Sequence, residues 1–389
     1  SILMKLTIKR NEFLRRLSFT AQAVPSRSAE AQYRNYLIEV KEDGVSVIAS
    51  DGDRSCKASS SRKDEKGNDI ILSLEPGLIQ VQAKTLLEIR AKLSSDIVTL
   101  VRVDTNFLNV SDDVSNYNLI TKAGEEYPDV ALSVPEGKMG FKVQVKDRKK
   151  LFDTTAYAAA SRGPKPLFFG VNVRAQGGKL YFLATDSYRR ARNAVSVEDQ
   201  AAEFNFTCSV KTLNRVTGLN PEDRVTIYLD DQRALFVGKN CRVSTRLIQG
   251  DFPTPDRIIP PSFPYQVTLK AQEFLVAADR VKIIILNADD RNNRVRLTLS
   301  KDSGVTISAN STSMGNASET LKPLSLVRPE NENVFEVGFN VDYVTAAVKA
   351  LQSDEITLTF SSPNRRFMAK NKDPENIQII TPIRLSSYN

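Results

Sequence analysis

The feature that most constrains this chain is that it repeats itself three times. Each copy opens on an alternating strand that runs straight into an amphipathic segment. Met4-Lys-Leu-Thr-Ile-Lys-Arg precedes Asn11-Glu-Phe-Leu-Arg-Arg-Leu, Phe141-Lys-Val-Gln-Val-Lys precedes Asp147-Arg-Lys-Lys-Leu-Phe, and Tyr265-Gln-Val-Thr-Leu-Lys precedes Ala271-Gln-Glu-Phe-Leu. The apolar positions that follow keep helical spacing: Phe13, Leu14, Leu17, Ala21 and Val24; then Leu151, Phe152, Thr155, Ala156 and Ala159; then Phe274, Leu275, Ala278 and Val281. Each stripe can therefore pack on a sheet. Hairpin patterns come next, over 36–49, 169–184 and 295–309, with Gly44, Gly178 and Gly304 at the turns. A second strand–helix–strand unit closes each copy. Its landmarks keep register: Lys84, Lys211 and Asp342 are 127 and 131 residues apart, and Asp96, Asp223 and Asp354 repeat the same two steps.

Boundaries follow from the repeat and from proline content. Domain one is expected over 1–133, before Val134-Pro135-Glu136-Gly137, domain two over 134–263, ending after the cluster Pro253 to Pro261, and domain three over 264–389. A length of 389 residues suits three domains at about 100–200 residues each. Antiparallel strands with two helices per copy make the class α+β.

Absences exclude much chemistry. The chain has no histidine, which removes Ser-His-Asp and Cys-His nucleophile sites and imidazole acid–base catalysis. Cys56, Cys208 and Cys241 are too far apart for a CxxC site and are expected as buried thiols. There is no Walker A motif, no G-x-G-x-x-G and no EF-hand loop. Asp51-Gly52-Asp53 reads first as a turn, and the pairs Asp112-Asp113, Asp230-Asp231 and Asp289-Asp290 as solvated loops. No metal or cofactor is expected. No apolar run approaches the ~18 residues of a membrane span, and a cytoplasmic location is expected.

The net charge is +8, from 54 Lys and Arg against 46 Asp and Glu. The six expected helical stretches, 9–24, 84–93, 146–160, 211–219, 270–282 and 342–351, hold 17 of the cations and 7 of the acids. A basic track without a base-reading motif points to sequence-independent phosphate contact. The competing explanation is ordinary solvated helix faces, since Lys and Arg are good helix formers.

Three motifs extend the argument: Ala184-Thr185-Asp186-Ser187-Tyr188-Arg189-Arg190-Ala191; Arg246-Leu247-Ile248-Gln249-Gly250-Asp251-Phe252-Pro253, continuing to Arg257-Ile258-Ile259-Pro260; and Ile380-Thr381-Pro382-Ile383-Arg384-Leu385. With the threefold plan, they make the chain resemble the bacterial sliding clamp family, the processivity (beta) subunit of the replicative DNA polymerase, from Met4 to Leu385. The resemblance implies two helices per domain lining the inside of a ring, with antiparallel sheets outside. A head-to-tail homodimer would close around duplex DNA without catalysis. By position it implies DNA contacts at Arg15, Arg27, Arg162, Lys165 and Lys211. It implies a peptide groove between domains two and three for the polymerase, the clamp loader and repair proteins. The matching groove positions are Phe168, Thr185, Ser187, Tyr188, Arg189, Arg190, Pro253, Arg257, Ile258, Ile379, Thr381, Pro382, Ile383, Arg384 and Leu385. The implied dimer seam sets Tyr117 and Leu119 against Ile283 and Ile284.

The sequence also departs from that family. Ser187-Tyr188-Arg189-Arg190 stands for the usual Gly-His-Arg-Leu, so an arginine replaces a pocket leucine, and Thr381 stands where a larger apolar residue is common. Two other readings remain at this stage. One is a carboxylate-dependent, metal-requiring nucleic-acid hydrolase. The other is a clamp-fold adaptor that binds peptides without encircling DNA.

Overall fold

The computed structural model describes residues 2–26, 30–216, 223–253, 259–288 and 293–385. The first copy runs β1 (Met4–Lys9), α1 (Arg10–Thr20), β2 (Asn35–Lys41), β3 (Gly44–Ser50), β4 (Arg54–Ser61), β5 (Ile71–Glu75), β6 (Gly77–Gln82), α2 (Ala83–Arg90), β7 (Ile97–Arg102), β8 (Phe107–Ser111) and β9 (Asn116–Ala123). The second runs β10 (Phe141–Gln144), α3 (Val145–Thr155), β11 (Gly170–Gln176), β12 (Lys179–Thr185), β13 (Arg189–Ser196), β14 (Phe204–Ser209), α4 (Val210–Asn214), β15 (Arg224–Leu229), β16 (Arg233–Gly238) and β17 (Cys241–Arg246). The third runs β18 (Tyr265–Lys270), α5 (Ala271–Leu286), β19 (Arg294–Ser300), β20 (Gly304–Ser311), β21 (Gly315–Leu321), β22 (Ser325–Val327), β23 (Val334–Asn340), α6 (Val341–Leu351), β24 (Glu355–Phe360), β25 (Phe367–Lys370) and β26 (Ile377–Ile380). Strand, helix, three strands, strand, helix, three strands recurs each time. Copies one and three add β5 and β22, which the sequence pattern did not announce.

The repeated aspartates mark where a strand receives a helix. The N–H groups of Arg10, Val145 and Ala271, the first residues of α1, α3 and α5, donate to the carbonyls of Asp96, Asp223 and Asp354 at 2.8, 2.9 and 2.8 Å. Each bond satisfies one of the four N–H groups that a helix start leaves without an intrahelical partner. Lys84, Lys211 and Asp342 are the second residues of α2, α4 and α6.

Helix lengths correct the sequence reading. The expected stretches 9–24 and 146–160 end in 3-10 turns at Ala21–Ala23 and Ala156–Ala158, the 211–219 stretch is α-helical over Val210–Asn214, and α5 runs on to Leu286. Lys9 and Lys270 belong to strands, and Lys92 and Arg215 lie past helix ends. The six α-helices among the described residues therefore hold 13 cations and 7 acids, with the excess on α1 to α4 and balance on α5 and α6.

The chain falls into two compact units, 1–146 with 211–247 and 147–210 with 248–389, so the middle copy is shared between them. The first unit holds a 13-stranded sheet in the order β10-β15-β16-β17-β4-β3-β2-β6-β9-β8-β7-β1-β5. The second holds a nine-stranded sheet, β14-β11-β12-β13-β26-β25-β24-β18-β22, and a four-stranded one, β21-β20-β19-β23. One joint inside each unit follows the same rule. The last strand of a copy lies antiparallel beside the fourth strand of the copy before or after it. In the first unit β17 joins β4, from Cys241 opposite Ala58 to Thr245 opposite Arg54. In the second β26 joins β13, from Ile380 opposite Arg189 to Ile377 opposite Arg192.

Alternation sets the cores. Met4, Leu6 and Ile8 of β1 point inward with Phe13 and Leu17 of α1, all buried. In the second unit Tyr265 stacks on Phe335 at 4.0 Å between centroids, and Phe360 meets Phe367 in a tilted contact at 4.8 Å. Each such ring contributes on the order of 2 kcal/mol by burial. The Asn340 side chain caps α6, accepting from the N–H of Asp342 at 2.9 Å. Cys56, Cys208 and Cys241 are buried free thiols, as expected. Among the described residues no helix is long and apolar enough to cross a membrane.

Candidate functional site

The Thr185-to-Arg189 stretch is built as a side-chain-closed turn. Asp186 Oδ1 accepts from the N–H groups of Tyr188 and Arg189 at 2.9 and 3.0 Å, and the Thr185 hydroxyl donates to the Arg189 carbonyl at 2.7 Å. Ser187 sits at φ 77°, in the left-handed region, where a side chain costs about 1 kcal/mol. The first copy has the same turn. Asp51 Oδ1 accepts from Asp53 and Arg54 N–H at 2.9 and 2.7 Å, with Gly52 at φ 94°. Asp51 is thus a turn former, as the Asp-Gly pattern indicated, and Asp186 plays the same part without a following glycine. Asp230 closes another such turn through Gln232 and Arg233 N–H, and Asp289-Asp290 lies outside the described residues.

Arg189 leaves this turn and ties two copies together. Its Nε donates to Asp186 Oδ2 at 3.2 Å. Its guanidinium lies 4.5 Å from the Tyr343 ring centroid and 5.3 Å from that of Tyr157. The Tyr157 hydroxyl donates to the Gln378 side-chain carbonyl, and the Gln378 amide donates to the Thr154 carbonyl at 2.9 Å. Burial pushes the Tyr157 phenol far above its ordinary range, which keeps it a proton donor there.

The C-terminal segment is pinned along this joint. Thr381 N–H donates to the Tyr188 carbonyl at 2.8 Å, and Ile383 N–H to the Gly338 carbonyl at 2.8 Å. Arg294 donates to the Arg384 carbonyl at 3.2 Å. Gly338 permits this approach, because a Cβ there would lie 2.6 Å from the Ile383 carbonyl oxygen and 2.8 Å from Leu385 Cδ2. Tyr188 is 61% exposed. Arg189, Arg190, Thr381, Pro382, Ile383 and Leu385 are half-buried, and Ser187 and Arg384 are exposed. Thr185 and Ile379 are buried and form the floor beneath this surface. Phe168 belongs to a second cluster in the same unit. It meets Phe252 edge-on at 6.3 Å, under the Lys165 ammonium at 5.2 Å, next to the half-buried Pro253. Arg257 and Ile258 lie outside the described residues.

The cationic positions divide similarly. In the first unit Arg90 of α2 donates to the Ser18 hydroxyl of α1 at 3.0 Å, and Gln22 after α1 donates to the Arg215 carbonyl after α4 at 3.1 Å. These bonds set α2, α1 and α4 side by side, with Arg15, Lys84, Lys211 and Arg215 exposed. Arg15 is 3.5 Å from Glu12, while Arg16 is held by Glu12 at 2.7 Å and by the Ser59 carbonyl. In the second unit Arg162 is exposed on the loop before Pro166, and Lys165 covers Phe168. Arg27 lies outside the described residues.

At the expected seam, Tyr117 and Leu119 are half-buried, opposite the buried Val110 and Leu108 on the inner side of β8–β9. Ile283 is 56% exposed, and Ile284 packs partly on the core. Two further apolar positions are exposed nearby in sequence: Ile120, at 76%, and Leu286, at 47%, which ends the apolar run Lys282-Ile-Ile-Ile-Leu286.

Comparison with known proteins completes the picture. The family described as DNA polymerase III beta subunit matches over three successive parts: its N-terminal domain over residues 4–132, its central domain over 142–254 and its C-terminal domain over 256–384. The chain is 28% identical to the beta sliding clamp of Bacillus subtilis strain 168 over 388 residues, covering 98% of this chain and 100% of that one. It is 26% identical to that of Streptococcus pneumoniae strain R6, again over 98% and 100%. Its fold matches the crystal structure of the Bacillus subtilis sliding clamp with a TM-score of 0.90 at 26% identity, over 99% of this chain and 100% of that one. A Pseudomonas aeruginosa sliding clamp bound to griselimycin shares the fold with a TM-score of 0.86 at 21% identity, over 98% of this chain and 100% of that one.

Proposed function

Because the chain belongs to the DNA polymerase III beta subunit family, we propose that it is a DNA sliding clamp. Two copies would form a ring around duplex DNA and tether the replicative polymerase for processive synthesis. It is a non-catalytic subunit, so the hydrolase reading is set aside. The observation that carries the proposal is the match to all three family domains, in order, along nearly the whole chain.

Ring closure is supported by the joint rule. Each joint inside the chain uses the last strand of one copy and the fourth strand of another, β17 with β4 and β26 with β13. Two strands of those kinds remain: β9, the last of copy one, which lies between β8 and β6 but pairs with β6 only over 121–123, and β21, the fourth of copy three, which ends its sheet beside β20. The same joint made between two molecules, β9 of each beside β21 of the other, closes a head-to-tail pair. The helices agree. Gln22, Tyr157 and Ile283 each stand twelve residues after the anchored first helical residue. Gln22 and Tyr157 both make joint hydrogen bonds. The third equivalent, Ile283, would then lie at the joint between molecules, with Leu286, Tyr117 and Leu119 beside it. The domains are taken as 1–133, 134–263 and 264–389.

Arg15, Arg27, Arg162, Lys165 and Lys211 would face DNA, along with Lys84 and Arg215. Contacts to phosphate carry no sequence information and weaken with salt, which suits sliding. The surface around Tyr188 and the C-terminal segment, with Phe168 and Pro253, would take short peptides of the polymerase, the clamp loader and repair proteins. Half-buried apolar positions with a few polar groups suit such anchors.

Light scattering on the full chain tests the assembly. A dimer of twice 43.3 kDa, with a central hole in negative-stain images, is expected. A monomer at micromolar concentration, or particles without a hole, would contradict the ring.

A further inference from the structure

The last strand of each copy makes two contacts in turn, and the second aligns the three copies. Lys122 lies opposite Gln80, the Ile248 N–H donates to the Thr207 carbonyl, and the Ile383 N–H donates to the Gly338 carbonyl. Gln80, Thr207 and Gly338 each stand four residues before Lys84, Lys211 and Asp342, so Lys122, Ile248 and Ile383 are equivalent. Tyr117, Val243 and Gln378, five residues earlier, are then equivalent too. The fourth strands align through their turns. Asp51, Asp186 and Ser311 each accept from the N–H groups two and three residues further on. Two residues before each stands an alanine, and Ala49, Ala184 and Ala309 lie opposite Cys56, Ala191 and Ala317.

Inside the chain, Val243 lies opposite Cys56 and Gln378 opposite Ala191. The third pair of equivalents is Tyr117 and Ala317. In that antiparallel register Leu119 falls opposite Gly315 and Asn118 opposite Asn316, so Tyr117 and Leu119 meet the smallest residues of β21. Both internal joints make one more bond three residues along. The Arg246 N–H donates to the Asp53 carbonyl at 3.1 Å, and the Thr381 N–H to the Tyr188 carbonyl at 2.8 Å. In the first of these the side chains also meet, with Arg246 Nε 3.3 Å from Asp53 Oδ1. The equivalents between molecules are Ile120 and Met314. Both are exposed in the single chain, and so is Phe107, directly opposite Ile120 on β8. Opposed residues share a face of a sheet, so these apolar side chains lie away from Tyr117 and Leu119, on the outer side of the joint.

We propose that the joint between molecules runs in this register and that Ile120 and Phe107 of each molecule close on the partner's Met314. This apolar contact stands where the first internal joint has an ion pair. Its occupant is a second copy of this chain, and the inference rests on the reading of the protein as a head-to-tail ring. Covering three exposed apolar side chains removes their area from water and favours association.

Two measurements on the full chain test this. In the first, Asn118→Cys is combined with Asn316→Cys or, four residues and about 13 Å further along the same face of β21, with Thr320→Cys. All three positions are exposed, while the native thiols are buried. Oxidation with diamide should join the first pair into a covalent dimer on a denaturing gel and leave the second unjoined, because a disulfide needs Cα atoms within about 7 Å. In the second, sedimentation gives the dimer dissociation constant. Ile120→Arg and Met314→Asp should each raise it about tenfold or more. The double variant, which rebuilds the Arg246–Asp53 pair between molecules, should regain most of the loss. Thermal melts check that each variant folds. Joining through Thr320→Cys instead, or through neither pair, in a protein that still dimerises overturns the register and leaves the ring standing. Unchanged dimerisation in both single variants, or a double variant no better than either, overturns the outer contact. An unsubstituted protein that is monomeric overturns the ring reading and this inference together.

Discussion

The Arg189 guanidinium stacks on Tyr343 at 4.5 Å from the ring centroid, although the two residues come from different copies of the repeat. Tyr157 faces the same guanidinium at 5.3 Å, and Asp186 accepts from it at 3.2 Å. One side chain therefore links the turn at 186–189 to α6 and to the 3-10 turn after α3. Arg189→Leu should lower stability by about 2 kcal/mol, from two lost cation–π contacts and a charge-assisted hydrogen bond. Arg189→Lys should recover less than half, because an ammonium cannot stack as a plane. Urea titration followed by tyrosine fluorescence checks both.

Gly338 makes room for the chain terminus. Gly338→Ala places a methyl carbon about 2.6 Å from the Ile383 carbonyl oxygen. The segment 381–385 must shift, at a cost of about 1–3 kcal/mol. Peptide affinity should fall with the core otherwise intact, so binding drops more than the melting temperature does. Amide exchange at Ile383, whose N–H bonds to Gly338, should speed up in the same variant.

At the seam, Ile283→Lys is the discriminating change. Ile283 is 56% exposed in the single chain, so a lysine there has water until a second molecule covers it. The variant should run as a monomer of 43.3 kDa with an unchanged melting profile for the protomer. Leu119→Lys should also give monomers, but Leu119 lies opposite the buried Leu108, so that variant should be less stable as well. An Ile283→Lys protein that stays dimeric would move the seam elsewhere.

Asp112 supplies a pH dependence with a definite sign. Its carboxylate accepts from the N–H groups of Ser94 at 3.0 Å, Val114 at 2.9 Å, Ser115 at 2.7 Å and Ser95 at 3.2 Å. These bonds, that from Ser94 foremost, hold its pKa well below the usual carboxylate range. A folded-state pKa below the unfolded value means stabilisation that is complete above about pH 4–5 and lost as pH falls through the folded pKa. Asp112→Asn should therefore be less stable at neutral pH, and the gap to the unsubstituted protein should close on acidification. Paired melts from pH 7 to pH 2 check this. A constant gap would show that the charge plays no part.

Much of the fold was legible because it is written three times. The register of Asp96, Asp223 and Asp354 marks three equivalent backbone hydrogen bonds, and alternation placed β1, β10 and β18 correctly. Helix ends were less legible. The stripe from Phe13 to Val24 looks continuous, yet the chain tightens into a 3-10 turn at Ala21, and α5 runs one turn further than its stripe. The short β5 and β22 carry little alternation of their own. In the candidate site, motif resemblance grouped Tyr188, Thr381 and Ile383, and the Thr381 N–H does bond to the Tyr188 carbonyl while that of Ile383 bonds to Gly338. It did not separate the floor residues Thr185 and Ile379 from the exposed Tyr188, because burial depends on the partner strand. The roles of Tyr157, Gly338 and Tyr343 were invisible for the same reason: each is defined by a residue far away in sequence.

The central claim is topological, and retention on DNA of defined topology tests it most directly. The protein would be loaded with a bacterial clamp loader and ATP onto nicked circular plasmid, then isolated by gel filtration in high salt. Retention is expected on the circle, with release when a restriction enzyme linearises it, because a ring that slides can leave only over an end. Equal retention before and after cutting would show ordinary adhesion. No retention on the circle, from a protein that still binds peptides, would leave an adaptor with the clamp fold and no encircled DNA.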